Sequence, residues 1–190
     1  MSDWILDALT GRRLGGALFV LAGLIVAGIV LWPGGDDHPQ ARIQPARIVS
    51  IPQLGLTFAY PSTWERSVSG LVITLHAPSS AALMTFSSPV KGRETDRVLA
   101  DAKNALRKRF APAKIVHAGP AKLGSRKVTS FELRGDDAGE HIRALALIGS
   151  SRYRTYVVTL LTPARPSAKR LAEAQEVLST VRLVEPKRAR

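Results

Sequence analysis

The chain contains no cysteine, which excludes disulfide bonds, cysteine-based zinc sites, a thiol nucleophile and a lipid-modified cysteine. Aromatic residues make up only 6% of its 190 residues, few for a surface that stacks nucleobases. Acidic residues are outnumbered: 15 Asp and Glu stand against 27 Lys and Arg, giving a net charge of +12. We therefore expect anionic neighbours. The candidates are lipid headgroups, an acidic protein and nucleic acid.

Motifs for catalysis and cofactor binding are also missing. The chain has no G-x-S-x-G, Walker A or G-x-G-x-x-G run. The acidic pairs Asp36-Asp37 and Asp136-Asp137 lie in glycine-rich turn or linker contexts, where Asp serves turn chemistry. The histidines have no metal-ligand spacing, and they are His38, His76, His117 and His141. We therefore predict no catalytic, cofactor or metal site and expect a protein that is not an enzyme.

One long apolar run occurs near the N-terminus. Residues 14–32 contain no charged or strongly polar side chain, and a helix of this length spans about 28 Å, close to the thickness of a bilayer core. Trp32 stands where an interfacial aromatic residue is expected, and Pro33 then ends the helix. The run exceeds a signal-peptide core, and no A-x-A site follows it, so we predict a retained transmembrane helix.

The flanks of this span give its direction and surroundings. Arg12 and Arg13 precede it directly, which favours a cytoplasmic N-terminus and an extracytoplasmic C-terminal domain. Residues 1–13 are predicted to form a short cytoplasmic or interfacial segment, and residues 33–46 a linker. The globular domain is predicted at 47–185, followed by a basic tail at 186–190.

The remainder of the chain changes from strand to helix periodicity and back. The alternation of Leu56, Phe58 and Tyr60 predicts a strand that Pro61 ends. Helical spacing predicts helices over 95–111, with Thr95 as N-cap, and 167–181, with Ser167 as N-cap. Further strands are predicted at 71–77, 82–88, 114–118, 126–134, 140–148 and 152–162. The short connections between these strands predict an α+β fold with an antiparallel sheet covered by two helices.

The box formed by Phe58, Tyr60, Pro61 and Trp64 is close to a motif. With the strand around Phe131, the strand that carries Tyr153 and Tyr156 and the closing helix, it resembles the PsbP-like superfamily. This resemblance implies an α-β-α sandwich and a non-enzymatic role in binding or assembly, without an active site. The box also has a sufficient structural explanation, in which the aromatic residues enter the core, Pro61 ends the strand and Trp64 caps the sheet edge.

The basic residues of the domain have two interpretations. Many lie in the last turns of the first predicted helix, where they favour the helix dipole and form a solvated face. Alternatively they form a surface for an anionic partner, and the candidates are Lys103, Arg107, Lys108, Arg126, Lys127, Arg152, Arg154, Lys169 and Arg170. Nucleic acid is not expected, because the predicted topology places the domain outside the cell.

Three hypotheses of function follow. The first is an envelope binding or assembly module, integral to the cytoplasmic membrane, that holds a protein or an anionic lipid. The second is an accessory subunit of a larger membrane complex, in which the small residues Gly16, Gly23 and Ala27 let another helix approach the span. The third, an unrecognised hydrolase, requires a deep pocket lined by convergent polar groups.

Overall fold

The structure, a computed structural model, describes residues 46–92 and 94–183. The predicted N-terminal segment, membrane span and basic tail lie outside these residues, as does the linker up to residue 45. The elements are β1 Ala46–Ile51, β2 Leu56–Pro61, β3 Glu65–Ser69, β4 Val72–His76, a 3₁₀ turn Pro78–Ser80, β5 Leu83–Lys91, α1 Thr95–Arg109, β6 Lys114–Leu123, β7 Arg126–Asp137, β8 Glu140–Ser150, β9 Arg154–Pro163, α2 Ala168–Thr180 and β10 Arg182–Leu183.

Seven of these strands form one antiparallel sheet in the order β3-β4-β5-β9-β8-β7-β6. Neighbours in sequence are joined by tight turns, such as Gly124-Ser125 between β6 and β7, which keeps consecutive strands adjacent. The only long crossovers among these residues run through the two helices. The predicted α+β class, with an antiparallel sheet and two helices, is confirmed.

Helix α1 covers one face of this sheet. Val98, Ala102 and Leu106 recur at four-residue spacing and are at most 2% exposed, so they form the apolar stripe of an amphipathic helix. They pack with alternate residues of the central strands, among them Phe131 on β7 and Ala144 on β8. The predicted helix is confirmed in position, although it ends at Arg109 and Thr95 is its first helical residue. Glu94 is the N-cap and makes no side-chain capping bond.

Helix α2 and a second, smaller sheet cover the opposite face. The three-stranded sheet has the order β1-β2-β10, and its Phe58 ring stacks on Phe86 of β5 with centroids 4.3 Å apart. Ala174 and Val177 of α2 are fully buried in this second core cluster. Ser167 caps the helix as predicted, because its hydroxyl accepts a hydrogen bond from the backbone nitrogen of Arg170 at 3.3 Å.

Several strand boundaries depart from the periodicity. Strands β1, β3 and β10 were not predicted: all five residues of β3 are exposed, so it shows no alternation, and β10 has only two residues. Strand β6 continues to Leu123 instead of ending at residue 118. Strand β9 begins at Arg154 instead of 152, because the Ser151 hydroxyl accepts hydrogen bonds from the backbone nitrogens of Tyr153 and Arg154 in a turn.

None of the helices within residues 46–92 and 94–183 is long and apolar enough to cross a membrane.

Candidate functional site

The aromatic box lies in the core. Phe58 and Tyr60 on β2 are 1% and 4% exposed, and β2 ends at Pro61. Trp64 immediately precedes the edge strand β3, is 1% exposed, and donates a hydrogen bond from its indole nitrogen to Glu173 on α2 at 3.0 Å. These contacts give each aromatic side chain of the box a packing role.

Antiparallel pairing brings four of the nine candidate cations to one end of the large sheet. Thr129 of β7 pairs with Ile148 of β8, which pairs with Val157 of β9. Arg126 and Arg154 each lie three residues before this rung. They therefore share one sheet face, two strands apart, with about 10 Å between their backbones. Lys127 is adjacent to Arg126, and Arg152 lies in the β8–β9 turn.

A further cation at this end was not predicted. The Gly124-Ser125 turn makes Lys122 on β6 the cross-strand partner of Lys127 on β7. The sequence signal was a two-residue turn containing glycine, from which the register of the flanking strands follows. We call the group Lys122, Arg126, Lys127, Arg152 and Arg154 the basic end.

Like charges face each other on one ladder of the basic end, because Lys122 on β6 stands opposite Lys127 on β7. Like charges directly opposite each other on a sheet are destabilising, by up to about 1 kcal/mol a pair.

The cations of the basic end are not neutralised by carboxylates of the described residues. Arg126 donates to the Leu183 carbonyl at 3.5 Å, and the Arg152 guanidinium lies 5.8 Å from the centroid of the Tyr153 ring. Five arginines elsewhere in the described residues have a carboxylate partner, as in Arg109 with Asp137 at 2.8 Å. Within residues 46–92 and 94–183, no ion pair reaches the five cations of the basic end.

The other five candidate cations lie on the two helices. Arg107 and Lys108 are exposed on the last turns of α1, while the Lys103 nitrogen stands 5.8 Å from the Phe131 ring centroid. Lys169 is exposed on the first turn of α2, and Arg170 binds Glu173 at 2.7 Å. Because the helices cover opposite faces, the nine residues do not form one continuous surface.

A groove between α2 and the sheet was also not predicted. It is open to solvent and is lined by Arg143, Leu145, Leu160, Thr162, Leu171, Gln175 and Leu178. At its floor Arg143 donates to the Glu132 carboxylate at 2.7 Å, and Arg134 lies 3.8 Å from the other carboxylate oxygen. The walls are mostly apolar and the arginine is already paired, so this is not the deep polar pocket that the hydrolase hypothesis requires.

The histidines of the described part do not converge. His76, His117 and His141 lie on three different strands, and His141 contacts Asp136. Residues 46–92 and 94–183 hold no group of three metal-ligating side chains close enough to bind one ion. His38 lies outside the described residues.

Comparisons with known proteins give structural matches only. No protein-family model matches the chain, and no curated protein sequence matches it. A crystal structure from Bacteroides thetaiotaomicron VPI-5482 is similar over 72% of this chain, with a TM-score of 0.53 and 17% identity. The chain spans 47% of that protein's length.

Two smaller proteins are also similar. The cyanobacterial PsbP of Synechocystis sp. PCC 6803 gives a TM-score of 0.47 at 14% identity, over 82% of this chain and 99% of its own. LpqN, described as involved in cell envelope biogenesis of Mycobacterium tuberculosis, gives 0.45 at 12%, over 74% of this chain and 86% of its own. The structural similarity to PsbP-like proteins that the sequence predicted is therefore found, and it concerns the fold alone.

Proposed function

We propose that this chain is a membrane-anchored, non-enzymatic binding or assembly module that holds an acidic protein or an anionic lipid through its basic end. Residues 14–32 would anchor it in the cytoplasmic membrane, with the N-terminus in the cytoplasm and a PsbP-like α-β-α domain on the extracytoplasmic side.

The observation that carries this proposal is that five cations lie together at one end of the sheet, with no carboxylate partner among the described residues. Arg109, Arg143 and Arg170 each have a carboxylate within 2.8 Å. The basic end instead gathers five cations from two turns, with lysine facing lysine across β6 and β7. An anionic partner would relieve this repulsion, and the field of such a cluster raises the local concentration of anions.

The proposal is tested by crosslinking in intact cells. A photo-crosslinking side chain replaces Ser125 in the exposed β6–β7 turn, and in a control it replaces Ala164, an exposed residue at the opposite end of the sheet. We expect position 125 to capture a protein or a lipid, and the capture to be lost in R126E/K127E. Equal capture at both positions, or capture unaffected by the charge reversal, would contradict the assignment.

The predicted direction of the anchor has its own test. Protease added to intact spheroplasts should digest the domain, because an N-in, C-out topology exposes residues 47–185. Full protection in intact spheroplasts, together with digestion after lysis, would place the domain in the cytoplasm and overturn this part of the proposal.

A further inference from the structure

We infer that the basic end docks on the anionic surface of the bilayer and thereby turns the sheet end-on toward the membrane. This inference rests on the proposed function, because it needs a chain held at a membrane, and it commits to lipid headgroups as the partner of this end.

The shape of the basic end suits a flat, extended partner. Its cations come from the ends of strands β6, β7 and β9 and from the β8–β9 turn, so they lie at one extremity of the large sheet. Arg126 and Arg154 belong to the face covered by α2, whereas Lys127 and Lys122 belong to the face covered by α1. A surface that meets the sheet end-on reaches both sets at once.

Side chains suited to a membrane interface accompany these cations. Tyr153 is half-buried between Arg152 and Arg154, at the tip of the β8–β9 turn. Leu71 is 46% exposed in the β3–β4 turn, and the pairing of Val72 with Ser87 and of Ser87 with Val157 brings this turn to the same end of the sheet. Tyrosine at headgroup depth and basic side chains beside exposed apolar ones are characteristic of proteins that rest on anionic bilayers.

The charges favour lipid over a folded protein. The Lys122–Lys127 pair is separated from Arg154 by β8, so a protein partner would need several carboxylates placed at matching distances. A bilayer supplies mobile anions that gather wherever a cation approaches.

The linker also permits this orientation. The thirteen residues 33–45 between the predicted span and β1 extend to about 45 Å. This is longer than β7, whose twelve residues measure about 40 Å. The basic end can therefore turn toward the bilayer whichever way the linker runs.

The test uses the full chain in lipid nanodiscs. Because the chain lacks cysteine, S125C carries a single fluorophore at the basic end and A164C a single one at the opposite end. Energy transfer to a headgroup dye reports the distance to the bilayer. We expect strong transfer from position 125 in discs containing phosphatidylglycerol, weak transfer in discs of phosphatidylcholine alone, and weak transfer from position 164 in both.

Charge-matched variants make the test specific. In R152Q/R154Q the ratio of docked to undocked chains should fall about 25-fold, at about fivefold for each cation near an anionic surface. R107Q/K108Q removes the same charge from the exposed end of α1 and should leave transfer unchanged. The inference is overturned if energy transfer is the same with and without phosphatidylglycerol, or if it falls equally in R152Q/R154Q and R107Q/K108Q.

The two proposals fail separately. If the nanodisc signal ignores lipid charge while the crosslinker at position 125 still captures a protein in cells, lipid docking is wrong and the binding module stands. If position 125 captures neither protein nor lipid, both are wrong.

Discussion

The indole nitrogen of Trp64 donates a hydrogen bond to Oε2 of Glu173 at 3.0 Å, and Arg170 binds the same oxygen at 2.7 Å. The residue just before β3 is thereby joined to the second turn of α2, 109 positions later in the chain. This contact fixes the helix over the smaller sheet, and it explains why the last aromatic residue of the box is a tryptophan.

We predict that Trp64→Phe destabilises the domain by about 2–3 kcal/mol. The substitution removes buried volume and the donor to Glu173, and both losses cost free energy in a fully packed site. Urea denaturation of the detergent-solubilised chain, followed by circular dichroism, measures the effect. Glu173→Gln keeps an acceptor for the indole and loses only the charge opposite Arg170, so it should cost about 1 kcal/mol. If the two variants lower the free energy of unfolding equally, the ion pair between Arg170 and Glu173 would account for the loss instead of the indole contact.

Both the backbone conformation at position 124 and the lack of room for a side chain there require glycine. Its φ is +57°, and a Cβ there would lie 1.9 Å from the Val181 carbonyl oxygen. We expect Gly124→Ala to cost more than about 3 kcal/mol, because the β6–β7 turn must move away from the end of α2. Gly70→Ala is the matched control: its φ is +56° and nothing lies within 4 Å, so it should cost only about 1–2 kcal/mol of backbone strain. Similar thermal midpoints for the two variants would refute the steric explanation.

Asp137 anchors the end of α1. Arg109 donates to both of its carboxylate oxygens, at 2.8 and 3.2 Å, and its buried Nε has no hydrogen-bond partner in the part of the chain that the structure describes. Asp137→Asn should therefore cost about 2 kcal/mol, since it leaves a largely buried guanidinium opposite a neutral group. Glu140→Gln, at an exposed position on the same hairpin, should change the free energy of unfolding by less than about 0.5 kcal/mol. A loss of comparable size in both variants would indicate a general charge effect.

The pair of Lys122 and Lys127 in the basic end should lower the stability of the domain and strengthen its binding to an anionic partner. Lys122→Glu replaces a like-charged pair with an opposite-charged one and should stabilise the domain by about 0.5 kcal/mol, while it weakens binding to an anionic partner. Denaturation and the nanodisc measurement together report both effects.

Lys114→Glu is the control for this change. Lys114 is exposed on the same strand and faces Arg134, another like charge, about 27 Å away from position 122. It should stabilise the domain to a similar extent and leave binding unchanged. If Lys122→Glu and Lys114→Glu both abolish binding, then binding depends on the net charge of the domain and not on the basic end.

The sequence alone determined the elements whose burial is periodic. Residues 95–109 repeat apolar side chains at helical spacing, the Leu56 strand alternates and ends at Pro61, and the Ser167 cap begins α2, so these positions follow from local rules. Short connections between strands then required an antiparallel sheet. Strand β3 could not be predicted, because an edge strand exposed on both faces has no alternation, and among the described residues only β4 pairs with it.

Only the tertiary structure decided which cations lie together. The sequence offered nine candidates in four separate segments, and neither their spacing nor their charge distinguishes Arg107 from Arg126. Antiparallel register brings the start of β7 beside the end of β8 and the start of β9, while helix packing sends α1 and α2 to opposite faces. The physical reason is that periodicity reports the burial of each residue within its own segment, whereas a binding surface depends on which segments become neighbours.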